Sequence, residues 1–323
     1  MRRRDFLQTS LATSLLGALP GAWAQAAYPN KTITTVVPFA AGGGGDLVAR
    51  VLAKGLSERV GQAVVVENRV GAGGNIGAAS VMRSRPDGYT LLNLSSTYAI
   101  QAVVSKPGFD ALADMQPIVM LTRDPQVLIV HANAPWRDLR ELTQAAKAKP
   151  GILSYGTAGV GTIAHLTSED LAFNLGVQLM HIPYKGSSAA YADVLSNTLS
   201  MMMTTSTFAV PQVRSGKVRA LAVVGASRLP SMPNVPTFGE LGLTEFSVYD
   251  WKAVAGPRGM PPDMVAFLNR EFNEVLKTPA AIERLQGDGA QIVGGTPEQL
   301  MQVIHADIER WKSLIVRAKL KIE

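Results

Sequence analysis

Ile33-Thr34-Thr35-Val36-Val37-Pro38-Phe39-Ala40-Ala41-Gly42-Gly43-Gly44-Gly45-Asp46-Leu47-Val48 sets the pattern of the whole chain. Thr32 to Phe39 is β-branched and apolar, as a buried strand requires, and Ala40 to Gly45 is too small and flexible to be anything but a loop. Asp46 is placed to cap a helix whose apolar positions are Leu47, Val48, Val51, Leu52 and Leu56, and Gly61 ends it. Strand, small polar loop, helix is the unit of an α/β fold.

The unit repeats. A strand over Ala63 to Val66 runs through Glu67-Asn68-Arg69 into the glycine loop 71–74 and a helix near Ile76 to Arg83; Tyr89 to Leu94 delivers Ser95-Ser96-Thr97. A fresh series starts after Asp124-Pro125. Val127 to Val130 leads to a helix over Leu139 to Ala148, Leu153 to Tyr155 feeds Gly156 to Thr162, and Leu179 to Ile182 feeds Pro183 to Ser188. Ser200 to Met203 and Val218 to Val224 are two more strands, and Ala253 to Ala255 is a strand returning to the first series. The tail is helical, over Met264 to Leu276 and Glu298 to Ala318, the last opened by Thr296-Pro297-Glu298-Gln299 with a hydroxyl at the cap, Pro at N1 and Gln at N3. The expectation is two lobes on largely parallel sheets: lobe one from residues 28–124 and 251–323, lobe two from 125–250, joined by crossings near Asp124-Pro125 and Tyr249-Asp250-Trp251 that form a hinge.

Composition narrows the function. With 47% apolar and 17% charged residues over 323 positions the chain buries a substantial core, and with no cysteine it has neither disulfides nor thiolate chemistry. Four scattered histidines at 131, 165, 181 and 305 give no zinc spacing, so no metal site is expected. Residues 1–24 read as a signal peptide: Arg3-Arg4-Asp5-Phe6-Leu7 resembles the twin-arginine export motif, Leu11 to Leu19 is too short to span a bilayer, and Ala22-Trp23-Ala24 suits signal peptidase. Its removal leaves 28 basic and 24 acidic side chains without a basic run, which argues against nucleic acid as a partner. A periplasmic location follows as the expectation.

Glycine and hydroxyl loops that lead into helices are seats for an anion, because helix N-termini expose unpaired N–H groups at the positive end of the dipole. Phosphate and catalytic readings fare worse. Gly42 to Gly45 is followed by Asp46 rather than the Gly-Lys-Ser/Thr of a P-loop; Gly159-Val160-Gly161-Thr162-Ile163-Ala164 fits a dinucleotide fingerprint but lacks the ribose-binding acid after the next strand; Gly-x-Ser-x-Gly does not occur. No cofactor is expected, and no enzymatic activity. Asp46 reads as a helix cap, His165 as a packed helix residue, Met201 to Met203 as core, and Arg69 as a partner either of Glu67 or of a ligand's distal carboxylate.

Val37-Pro38-Phe39 with Gly42-Gly43 to Asp46, Glu67-Asn68-Arg69 with Gly71 to Gly77, Pro86-Asp87-Gly88-Tyr89-Thr90, Tyr155-Gly156-Thr157 through Gly161 to His165-Leu166, Pro183-Tyr184-Lys185-Gly186 and Pro233 to Thr237 together resemble the Bug-type substrate-binding proteins of tripartite tricarboxylate transporters. The resemblance covers essentially the whole mature chain. It implies the class II periplasmic-binding-protein fold, with a ligand cleft between the lobes, a small carboxylate-bearing ligand, and membrane permease subunits as partners; the alternatives are a sensor that delivers the ligand to a receptor and an enzyme acting on a carboxylate substrate, and a monomer is expected. Carried onto this sequence, the ligand carboxylate is held by Phe39, Ala40, Ala41, Gly42 and Gly43 on one side and Thr157, Ala158, Gly159, Gly161 and Thr162 on the other, with Ser95, Thr97, Tyr184 and Thr205 as walls. Family members usually carry proline between Phe39 and Gly42, where this chain has Ala40-Ala41.

Overall fold

The computed structural model describes residues 28–317 and residue 320, so the signal peptide expected over residues 1–24 lies outside the described residues. The first lobe opens with β1 (Ile33–Val37), α1 (Gly44–Val60), β2 (Val64–Asn68), α2 (Asn75–Met82), β3 (Thr90–Ser95) and α3 (Ser96–Val104). A long strand, β4 (Met115–His131), leads to the second lobe. There follow α4 (Leu139–Ala148), β5 (Ser154–Thr157), α5 (Ile163–Leu175), β6 (Met180–Pro183), α6 (Ser187–Leu195), β7 (Met201–Thr205), α7 (Ser206–Arg214) and β8 (Val218–Val223). The chain returns through β9 (Tyr249–Pro257) and finishes with α8 (Pro262–Leu276), α9 (Pro279–Gly287), β10 (Gln291–Ile292) and α10 (Pro297–Arg317).

Each lobe is a sheet between two helical layers. In the first, Val36, Leu92 and Ala255 pack towards α2, α3 and α10 through Ala78, Ala99, Ile304 and Trp311. The opposite face packs Ile33, Leu91 and Val254 against Leu52, Leu268 and Leu285 of α1, α8 and α9. In the second lobe Leu128, Tyr155 and Met203 face Leu142 and Leu171 of α4 and α5, while Ile129 and Met202 face Val194 and Val210 of α6 and α7. Met201, Met202 and Met203 are core. Burying each fully enclosed Leu or Ile stabilises the fold by roughly 1.5–3 kcal/mol.

The sheets are mixed, not largely parallel. β1 pairs in parallel with β2 and β3, and β5 with β6 and β7, but every pairing made by β4 or β9 is antiparallel. β4 is also far longer than the Val127 to Val130 segment expected, and β9 longer than Ala253 to Ala255. β4 pairs with β9 down to Pro125 opposite Tyr249, then changes partners, with Gln126 opposite Thr205 of β7 and Val127 opposite Val223 of β8. Both passages between the lobes are therefore strand segments lying side by side, and no helix of the described residues is long and apolar enough to cross a membrane.

Candidate ligand-binding site

β1, β3, β5 and β7 end at the junction of the lobes, and α1, α3, α5 and α7 start there, joined by α6 after β6. Residues from the first turns or caps of all five, among them Gly43, Gly44, Gly45, Ser95, Thr97, Thr162, Ile163, Ala164, Ser187 and Thr205, surround one cavity of about 80 Å³. None of these five helices has a side-chain hydrogen bond at its N-cap. Of the helices that do not border the cavity, α2 and α8 also lack a side-chain cap, whereas α4, α9 and α10 are capped by Asp138, Thr278 and Thr296, the last with Gln299 reciprocating as its sequence suggests. The first-turn amides without an intrahelical acceptor thus gather where a ligand can take them.

Phe39, Ala40, Gly43, Ser95, Thr97, Ala158, Thr162 and Thr205 line this cavity. Gly159 and Tyr184 border the outer cleft with Phe39 and Ala158 instead. The other nominated positions are held by the protein itself. Gly42 donates its N–H to Asp46 Oδ2 at 2.9 Å, Ala41 accepts from Ser188 Oγ at 2.9 Å, and Gly161 donates to His165 Nδ1 at 3.1 Å. Thr157 is buried, with its hydroxyl 2.7 Å from His181 Nε2. The amide of Gly159 is also engaged, by Thr157 Oγ1 at 3.2 Å.

Asp46 is not the N-cap of α1. Gly43 is, and Asp46 sits in the first turn at only 2% exposure, reaching back to the loop as the acidic member of a capping box does. Burial opposes its ionisation, but hydrogen bonds from Arg50, the Gly42 N–H and Asn68 outweigh this and keep its carboxyl below the ordinary range. Arg69 takes the structural alternative, with Nε and Nη2 on Glu67 at 2.6 and 2.9 Å and Nη1 on Ser80 at 2.9 Å.

The lobes touch. Thr97 Oγ1 accepts the Ile163 N–H at 3.1 Å, and Gln101 Nε2 donates to the carbonyls of Val160 and Gly161 at 3.1 and 3.0 Å, tying α3 to the loop before α5. With Ser188 on the Ala41 carbonyl, these contacts hold a closed cleft.

Residue chemistry that the sequence did not announce lies on the cavity floor. Lys252 of β9 places Nζ 2.6 Å from Asp124 Oδ2 and 2.8 Å from Asp250 Oδ2, with all three residues buried at the two crossings. Burial works against the ammonium, but the two carboxylates overcome it and hold its pKa above the ordinary lysine value. Asp250 also accepts the Ser96 N–H at 3.2 Å, so one orphan donor of α3 is spent on the hinge. Gln126, Asn93, Asp250 and Lys252 all border the cavity, and none was legible because polar residues inside strands give no local signal of what they face.

Behind the Gly156–Thr162 loop, His165 and His181 stack with ring centroids 3.9 Å apart. Burial and the His181 ring push His165 down to about 3, and burial pushes His181 down to about 4. Both lie below the unfolded value of about 6.5, so the unfolded chain binds more protons between about pH 6.5 and 3, and stability must fall as pH drops through that window. Each pKa unit is worth about 1.4 kcal/mol, so the pair accounts for several kcal/mol. Urea melts of the protein and of His165→Gln/His181→Gln should show a markedly shallower acid limb for the double variant. Parallel limbs would refute the assignment.

The chain resembles known proteins along its whole described length. The profile of the Tripartite tricarboxylate transporter family receptor matches residues 48–320. Protein BugT of Bordetella pertussis is 38% identical over 300 residues, covering 91% of this chain and 92% of BugT. The solved structure of the periplasmic binding protein BugD superposes with a TM-score of 0.88 at 34% identity, over 91% of this chain and 99% of that one. MatC from Rhodopseudomonas palustris, solved with bound malate, gives 0.85 at 31% identity, over 89% and 100%. With amides of both lobes gathered on a closed cleft, and with a family match spanning most of its length, the chain belongs to the tripartite tricarboxylate transporter receptor family, the Bug-type solute-binding proteins.

Proposed function

We propose that this protein is an exported periplasmic solute-binding protein that closes its lobes on a small carboxylate and presents it to the membrane permease subunits of a tripartite tricarboxylate-type transporter. The observation that carries the reading is the convergence of five helix N-termini without side-chain caps on one interlobe cavity. The carboxylate sits against amides at the start of α1, Gly43 to Gly45, and of Ala164 in α5, with Ser95, Thr97 and Thr205 supplying neutral hydroxyls. Such donors take an anion without leaving an unpaired basic side chain buried in the free protein.

Residues 28–124 and 251–323 form one lobe and 125–250 the other, a division supported by the change of partners in β4 after Pro125. Opening bends the paired crossings, and the ligand favours the closed form because only there does it touch both lobes. The mature chain begins after Ala24 and acts as a monomer without cofactor or metal.

In a thermal-shift panel on the mature protein, at least one small carboxylate should raise Tm by several degrees at saturating concentration, and its methyl ester should not, since only a ligand selective for the native state stabilises it. Equal stabilisation by acid and ester would remove the carboxylate from the account.

A further inference from the structure

Gln126 is fully buried at the point where β4 passes from one sheet to the other, and it borders the ligand cavity. Neither its Nε2 nor its Oε1 meets a hydrogen-bonding group of the protein. A buried primary amide left unmatched at both ends is costly, which makes it a place where a ligand is read. The floor beside it is not neutral either: Asp124 and Asp250 contribute two carboxylates against the single ammonium of Lys252.

Resting on the carboxylate seat argued above, we propose that Gln126 recognises the far end of the ligand, and that this end is an uncharged group able both to donate and to accept, a primary amide or a hydroxyl, in place of a second carboxylate. The chemistry discriminates among the alternatives. A carboxylate could accept from Nε2 but leaves Oε1 unmatched and faces a floor with excess negative charge. An ammonium satisfies Oε1 and leaves Nε2 unmatched. An alkyl end satisfies neither, whereas an amide or hydroxyl satisfies both. The inference separates this protein from a relative such as MatC, whose solved complex contains the dicarboxylate malate.

Calorimetry on the mature protein with succinamate, 4-hydroxybutyrate, succinate and butyrate, repeated one methylene longer with glutaramate, 5-hydroxyvalerate, glutarate and valerate, tests it. In at least one length class the amide or hydroxy acid should bind about tenfold or more tightly than the diacid and the alkyl acid, as a site built to hydrogen-bond rejects ligands that leave it unpaired. In Gln126→Met the ratio of amide to alkyl acid should collapse to within about threefold, because the unmatched amide is gone. Gln126→Leu, which likewise has no polar end, should lose the same preference, which guards against a folding defect peculiar to methionine. A diacid preference in the wild type, or a ratio that survives both substitutions, overturns the inference while leaving the carboxylate seat intact. Binding of none of the acids overturns the seat itself, and the inference with it.

Discussion

Lys252→Met is expected to destabilise the protein by about 3–5 kcal/mol at pH 7, the usual cost of stranding a buried charge by removing its partner. Methionine preserves much of the volume but leaves Asp124 and Asp250 confronting each other, at 0% and 4% exposure, with no cation between them. Thr122 Oγ1 on Asp124 at 3.1 Å and the Ser96 N–H on Asp250 cannot replace the ammonium. Burial already raises the Asp124 carboxyl above its ordinary value, and without the ammonium only the Thr122 hydroxyl beside it favours the charged form. Groups raised in the folded state favour it more as pH falls, so the deficit should be largest at neutral pH and shrink towards pH 4. Adding Asp124→Asn and Asp250→Asn to Lys252→Met should recover most of the loss, since the breaking of the set is costly and not its absence. Guanidinium melts at pH 7 and pH 4.5 check both statements. A loss under about 1 kcal/mol at pH 7 would mean that the three side chains are wet or mobile, as exposed pairs are.

That triad also shows where sequence reading reached its limit. The first βα unit was legible because its strand is β-branched, its loop is all small residues and its helix has a clean apolar stripe, so each local preference agrees with the fold. The capping box at Thr296 was legible for the same reason. β4 was half hidden because Asp124-Pro125 read as the break before a fresh series, yet its prolines are accommodated: the register with β9 shifts after Pro117, and Pro125 stands where β4 exchanges one set of partners for another. Within β9, Asp250 and Lys252 look like loop residues until Asp124 is seen opposite Asp250, a relation fixed only by tertiary pairing. α7 is a helix the sequence reading leaves unassigned: its first residues, Ser206 and Thr207, read as hydroxyls that end the preceding strand, and Pro211 lies inside it.

The candidate site divides in the same way. Helix starts after strands can be located from glycine and hydroxyl runs, so Gly43, Ser95, Thr97, Thr162 and Thr205 could be named in advance. Which amides remain available could not. Asp46, His165 and Thr157 each occupy one N–H of a nominated glycine, at Gly42, Gly161 and Gly159. The loops are held in shape by the very side chains that withdraw those donors, so the proposed carboxylate seat rests on the amides that follow, at the start of α1 and at Ala164 of α5.

Closure itself should be sensitive to one methyl group. Gly186, the N-cap of α6, has an extended backbone that any residue can adopt, so alanine there causes no strain in the isolated lobe. In the closed cleft, however, its Cβ would lie 2.7 Å from Ala40 Cβ, 3.3 Å from Ala40 N and 3.5 Å from Ala40 Cα. Ala40 belongs to the loop after β1 of the other lobe, and backbone cannot rotate aside as a long side chain can. Overlap of this kind costs about 1–3 kcal/mol in packed interiors, and here the cost falls only on the closed form. Population arithmetic converts it to a loss of about 5- to 150-fold in ligand affinity, because binding must now drive closure against that penalty. The ligand-free melting temperature should stay within about a degree of wild type, because an open cleft removes the overlap and the extended backbone adds no strain. Gly287→Ala, in α9 with open space around its Cβ, is the matched control and should bind as wild type does. Small-angle scattering should show the Gly186→Ala protein more expanded than wild type at equal ligand concentration. If it binds with wild-type affinity, the loops after β1 and β6 do not approach each other in the bound state, and capture of the ligand does not depend on closing these two edges together.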